Sequence, residues 1–346
     1  MRPTFNGVVL TIPPYFGFGR DYFLDHDLVI DKDGRIYVVV GNKHPPDALI
    51  AYLKYVPTTS KTLWKGVFTY YERVLREYSA ADLQRVMFAY GGYRYDSTLN
   101  TLVPYVKKDH IGLWLKPEEK LMELRRRVKD LIEETAVEAA EFVASRSGVN
   151  PRKLGIGGSI LAGIHGPHSD IDLIVYGCKE AIDVVETRDL GLSEVSESVY
   201  KEKIVKELKL AGLNPGLYEV FKPFRKYYMF RGFNVTISFV NEFSGRYGDE
   251  VLTPLKPVEA VIEVVENDCR ALFYPSYASV VKVKTSSLGD VGIDGIVCYN
   301  GFFNSLLYRG GVLKVKGLLE VSKPSGKHYV VVGVKEGQSY ILPQHL

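Results

Sequence analysis

The run Gly155-Ile156-Gly157-Gly158-Ser159, followed closely by Ser169-Asp170-Ile171-Asp172-Leu173-Ile174-Val175-Tyr176, constrains this chain more than any other stretch. Glycines at 157 and 158 admit backbone conformations closed to other residues, and they remove the Cβ atoms that would hold an anion away. Ser159 then opens Ile160-Leu161-Ala162-Gly163-Ile164, which reads as a short helix whose free N–H groups and positive dipole end face that anion. Alternate side chains of a strand point to opposite sides, so Asp170 and Asp172 project together while Ile171, Leu173 and Val175 enter the core. Two such carboxylates suit Mg²⁺, which takes oxygen ligands and completes its octahedron with waters and phosphate oxygens. Together the two motifs predict a site for a metal-bound nucleoside triphosphate. The competing reading is an ordinary strand-turn-helix with solvated aspartates.

In this order and spacing the residues resemble the signature of the polymerase-beta-type nucleotidyltransferase superfamily: an apolar residue, Gly-Gly or Gly-Ser, a gap of about ten, then Asp-apolar-Asp-apolar. The match covers Leu154 to Tyr176 directly. The resemblance implies that Gly157, Gly158 and Ser159 hold the triphosphate and that Asp170 and Asp172 bind the catalytic Mg²⁺, with Mn²⁺ as the alternative ion. It also implies a third carboxylate, from a later strand of the same sheet, acting on the attacking hydroxyl. The strand that fits is Phe233–Val240, with Val235, Ile237 and Phe239 on its apolar face and Asn234, Thr236 and Ser238 on its polar face. That polar face has no acid. Glu242, just past the strand and in phase with it, is the substitute, with Glu219 behind it.

The implied activity is transfer of a nucleoside monophosphate from an NTP to a hydroxyl on an RNA 3′ end, a protein or a small molecule, with release of pyrophosphate. The alternative is a nucleotide- or RNA-binding protein that keeps the cradle with impaired catalysis, because metal-assisted phosphoryl transfer rests mostly on positioning and charge neutralisation. A third reading is a protein-protein scaffold with a relic site.

Other segments carry two readings each. In Phe221-Lys222-Pro223-Phe224-Arg225-Lys226-Tyr227-Tyr228-Met229-Phe230-Arg231 the rings can stack on bases while Lys222 and Arg225 take phosphates; equally, the aromatics can be core and the charges its rim. Arg125-Arg126-Arg127 is either an RNA-facing run or a solvated helix face. His165 and His168 read as loop histidines in solvent, or as contacts to a triphosphate or aids to metal binding. Asp25-His26-Asp27 is either a second metal site or a strand-end turn.

At 346 residues the chain exceeds one core of typical size, so two or three domains are expected. The fold class is α+β: a β-rich or α+β module over 1–115, a long connecting helix over 116–149, a nucleotidyltransferase core over 150–253, and a small antiparallel β-domain, barrel-like, over 254–346. In the first module, Asp27–Ile30 and Arg35–Val40 flank a hairpin turn, Ala48–Val56 is a strand, and a helical segment lies near Phe68–Tyr78. This layout, with His44-Pro45-Pro46 in the first module, also resembles archaeal nucleotidyltransferases of unassigned substrate. A net charge of +3 is too small to mark a nucleic-acid binder. Cys178, Cys269 and Cys298 are widely spaced with no evident disulfide partner, which points to a reducing cytoplasm. No apolar run suits a membrane span or a cleaved signal. Scarce glutamine with abundant tyrosine and charge leans toward a heat-adapted source.

Overall fold

Asp31 makes the turn between the strands Leu28–Asp31 and Ile36–Val39. Its Oδ1 accepts from the N–H groups of Asp33 and Arg35, both at 2.9 Å, and Gly34 supplies a φ of 81°. β1 (Leu28–Asp31) and β2 (Ile36–Val39) therefore pair antiparallel, and β2 pairs in turn with β3 (Ala48–Thr58). The structure, a computed structural model, describes residues 20–221, 227–243, 245–333 and 339–344, together with the backbone of 4–5 and 8–9. Two units are formed: Met1–Arg94 with Leu102–Val175 and Phe230–Ser238, and Tyr95–Thr101 with Tyr176–Met229 and Phe239–Leu346.

In the first unit β3 also pairs with β4 (Tyr70–Arg73) and, at its start, with β5 (Thr101–Lys107), while β6 (Ile111–Leu115) pairs with β1. The segment near Phe68–Tyr78, expected to be helical, contains a strand at Tyr70–Arg73 and no helix. Tyr70 to Arg73 meet a ladder partner in β3, and tertiary pairing overrides local preference. The helix comes later, α1 (Ala80–Tyr90), where the hydroxyl of Ser79 caps the N–H of Asp82.

The expected long helix is two. α2 (Pro117–Arg126) starts with proline at its first turn and ends where Arg127 turns extended. α3 (Leu131–Ser147) starts afresh on Asp130, whose carboxylate accepts from Glu133 N–H at 3.0 Å, while Glu133 reaches back to Lys129 N–H at 2.8 Å. This resembles a capping box, with the returning bond taken one residue before the N-cap, and it ties the start of the new helix to the chain that enters it. Gly148, left-handed at φ 71°, closes α3. Arg125 pairs with Glu141 at 2.8 Å, and Arg126 and Arg127 are exposed.

His44 of the His-Pro-Pro segment is structural. Its Nδ1 accepts from Ile50 N–H at 3.3 Å, its Nε2 is buried without a partner, and burial, aided by Lys108, lowers its pKa to about 4.

In the second unit, α5 (Cys178–Glu186) and α6 (Glu197–Leu210) share a core with Phe221, Phe302, Phe303 and the inner faces of a β-sheet. Its strands are β10 (Leu252–Val264), β11 (Ser276–Ser286), β12 (Gly295–Cys298), β13 (Gly311–Ser322), β14 (His328–Val332) and β15 (Tyr340–Pro343). The pairings β10–β11–β12–β14–β13–β10 run in a ring, with β15 added on β13. One of them, β12–β14, is parallel, a departure from the all-antiparallel expectation. Cys178 and Cys269 form a disulfide across 91 residues of sequence. This corrects the expectation of unpartnered cysteines and removes that argument for a reducing compartment; the two meet because α5 packs against the turn at Cys269–Leu272, a contact that no sequence spacing reveals. Cys298 is a free buried thiol, pushed up to about 12 by burial.

Candidate active site

β7 (Leu154–Ile156) and β8 (Ile171–Tyr176) pair antiparallel, Gly155 opposite Ile174 and Ile156 opposite Leu173. β8 is buried on both faces: Ile171, Leu173 and Val175 on one, Ile174 on the other beyond the two aspartates. Only the start of the strand, at Asp170 and Asp172, opens to solvent. Gly155 is required by packing, because a Cβ there would lie 2.7 Å from the backbone of Glu118 at the start of α2.

The glycine turn is fastened to the aspartate strand by one backbone bond and to its own helix by another. Gly157 N–H donates to the Asp172 carbonyl at 2.8 Å, and the Gly157 carbonyl accepts from Leu161 N–H at 3.1 Å, closing α4 (Gly158–Ala162). Gly158 adopts φ 62°, and a Cβ there would come within 1.9 Å of Asp172 Oδ2. The Asp172 carboxylate fills the space that a side chain at 158 would need. The first-turn N–H groups of Gly158, Ser159 and Ile160 precede any acceptor in their own helix, so they need one from outside.

β9 (Phe233–Val240) lies beside β8. Asn234 Nδ2 donates to Asp170 Oδ1 at 3.0 Å, and Thr236 Oγ1 donates to Asp172 Oδ1 at 2.7 Å. Neutral donors thus stand on the strand face from which the resemblance takes its third acid, and they hold the two aspartates in place. Each bond uses one oxygen and leaves the second, Asp170 Oδ2 and Asp172 Oδ2, for a cation. Among the described residues no cluster of three His, Cys, Asp or Glu side chains could hold a metal. Two carboxylates fit Mg²⁺ with waters and phosphate oxygens, and do not fit an all-protein cage.

Glu242 belongs to the second unit, where its Oε2 would be 3.3 Å from a Cβ on Gly177, itself crowded by Glu180. Glu219 is exposed on the short helix Tyr218–Phe221 of that unit. Lys222 and Arg225 lie outside the described residues. Their described aromatic neighbours are packed: Phe221 stacks on Phe302 with centroids 4.4 Å apart, and Tyr227 meets Tyr200 edge-on at 6.1 Å. Arg231 pairs with Glu138 at 2.5 Å.

His165 is not a solvent histidine. It is mostly buried, with Nε2 2.9 Å from Asp130 Oδ2, because the loop before Asp170 folds onto the cap of α3. Burial pushes the Asp130 carboxyl up, but Glu133 N–H and His165 outweigh it and hold it below the usual range. His168 is exposed. Asp25-His26-Asp27 is a structural turn: Asp27 is fully buried and accepts from Leu24 N–H at 3.0 Å, Trp114 Nε1 at 2.9 Å and Arg20 Nη1 at 2.6 Å, while Asp25 accepts from Gly41 N–H at 2.8 Å.

Residues 137–242 match the nucleotidyltransferase domain family, and the chain carries a nucleotidyltransferase domain. Along most of its length it is also similar to an uncharacterized protein of Methanocaldococcus jannaschii, 23% identical over 335 residues that cover 89% of this chain and 94% of the relative. No solved structure matches the chain significantly. Among the described residues no helix is long and apolar enough to cross a membrane.

Proposed function

We propose that this protein binds a magnesium-nucleoside triphosphate on Gly157, Gly158, Ser159, Asp170 and Asp172, and transfers the nucleoside monophosphate to a hydroxyl acceptor. One observation supports the reading: the Asp172 carboxylate fills the space that a Cβ on Gly158 would need, so the glycine turn and the aspartate strand lie against each other. The acceptor oxygen attacks the α-phosphorus, the bond to the bridging oxygen breaks, and pyrophosphate leaves with that electron pair. The hydroxyl proton passes to a base, for which Glu242 is our candidate and Glu242→Gln kinetics the test. When bound, Mg²⁺ would neutralise phosphate charge. The first-turn N–H groups hold the leaving phosphates, while Asn234 and Thr236 orient the carboxylates.

The test is thermal unfolding of the full chain with Mg²⁺ and each of the four NTPs. Ligand at about 100 times its dissociation constant should stabilise the fold by about 2.7 kcal/mol. The double change Asp170→Asn with Asp172→Asn should abolish the metal-dependent part of that gain and leave the apo fold intact. An unchanged Tm with every NTP at millimolar concentration refutes the site.

A second reading is favoured by Asn234 and Thr236 themselves. With neutral donors in place of an acid, the cradle binds nucleotide with little turnover, because a positioned base is worth about 10²–10⁴-fold. Turnover of labelled NTP separates the two readings.

A further inference from the structure

β3 contains a bulge beside this site. Leu53 pairs with Tyr37 and Tyr55 with Ile36, so Lys54 is the extra residue between two partners. A bulge re-aims side chains. Here Tyr55 shares a hydrophobic cluster with Leu161 in α4 and Ile164 just after it, and Tyr52 packs against that cluster, which sets β3 against the glycine-turn helix. Lys54 is only 8% exposed. Its ammonium lies 5.6 Å from the Tyr55 ring centroid and 5.7 Å from that of Tyr78. Among the described residues no carboxylate forms an ion pair with it. Burial opposes its charge, yet Tyr78, Tyr55 and the field of Asp172 outweigh burial and hold the proton more tightly than in an ordinary lysine. The side chains of Tyr52 and Tyr55 feel the same Asp172 charge.

A nearly buried ammonium with no carboxylate in contact is open to an anionic ligand. β3 packs on the glycine-turn helix and the charge of Asp172 acts on Lys54, which sets the ammonium beside the candidate site. Resting on the nucleotide-binding reading above, we propose that Lys54 is a triphosphate ligand: the bulge in the N-terminal sheet carries its ammonium to the β- and γ-phosphate oxygens of the nucleotide held by Asp170, Asp172 and the glycine turn. The first unit thereby supplies phosphate recognition from a strand outside residues 137–242, where the nucleotidyltransferase match lies. Lysine serves this role as a compact point charge.

Calorimetric titration of the full chain with Mg²⁺ and a non-hydrolysable ATP analogue, and separately with AMP, tests this. Lys54→Met should weaken the triphosphate analogue about 10- to 100-fold, the worth of one charge-assisted contact. AMP should bind the variant about as it binds the wild type, and Lys54→Arg should recover most of the loss. Should Lys54→Met unfold, Lys54→Gln, which keeps a polar stem, is read by the same pair of titrations. Unchanged analogue affinity overturns the proposal, as does an equal loss for AMP and analogue, which marks a purely structural lysine. Failure of the wild type to bind any Mg-NTP overturns the nucleotide-binding reading itself, a result distinct from either.

Discussion

Alanine at Gly158 tests the shared space at the site, and alanine at Gly163 provides its control. Both glycines are left-handed, at φ 62° and 66°, so either alanine costs about 1–2 kcal/mol in backbone strain. Their surroundings differ. At 163 a Cβ meets nothing within 4 Å, whereas at 158 it would lie 1.9 Å from Asp172 Oδ2 and 2.9 Å from its Cγ. The Asp172 carboxylate must then turn away, losing the 2.7 Å bond from Thr236, a charge-assisted contact worth about 1.5–3 kcal/mol. Gly158→Ala should therefore destabilise by about 3–5 kcal/mol and Gly163→Ala by about 1–2 kcal/mol. Urea unfolding measures both, and Mg-NTP stabilisation of each folded variant measures the site. Only Gly158→Ala should lose the ligand-dependent gain. Equal destabilisation by the two alanines, or a full ligand response in Gly158→Ala, would refute the argument that the glycine turn and the aspartate strand act as one.

Two further outcomes are expected. Thr236→Asp puts an acid on the face opposite Asp172 and should raise NTP turnover by about 10²-fold or more if the missing base limits the reaction; turnover no higher than in the wild type would place the limit elsewhere. His44 has a folded pKa lowered to about 4, so the native state favours the neutral ring and the unfolded chain takes up the proton first as pH falls. The resulting stability is fully present above about pH 6.5 and is lost as pH falls toward 4, by up to about 3 kcal/mol, so His44→Gln should flatten that part of the wild-type curve; superimposable curves would disprove it.

Where a segment is stabilised by its own residues, the sequence was legible. α6 and β9 fall where periodicity and caps place them, and the β1–β2 turn follows from Asp31 and Gly34. The pairing of Asp170 with Asp172 needed only the two-residue period of a strand. Features that depend on distant partners were not legible. Tyr70 to Arg73 became strand because β3 offered a free edge, and Cys178 found Cys269 through the packing of α5. The break between α2 and α3 was legible in principle, since Asp130-Leu131-Ile132-Glu133 has the spacing of a capping box, but apolar periodicity on both sides concealed it. Lys54 had one signal, a lysine inside the apolar run of β3. The bulge that aims it depends on register with β2, and no local pattern encodes that.

The order of synthesis adds a consequence to the position of β9. β8 ends at Tyr176 and β9 begins at Phe233, so 56 residues (177–232) are made between the strand that carries Asp172 and the one that holds it. At about 5–20 residues per second the ribosome needs roughly 3–11 s for that interval. Throughout it, β8 has β7 on one side and an open edge on the other, lined by Ile171, Leu173, Ile174 and Val175. Such an edge is a template for pairing with other chains. A nascent chain that already contains the glycine turn and both aspartates is still unfinished at its site, and is most exposed to aggregation until residues 233–240 emerge.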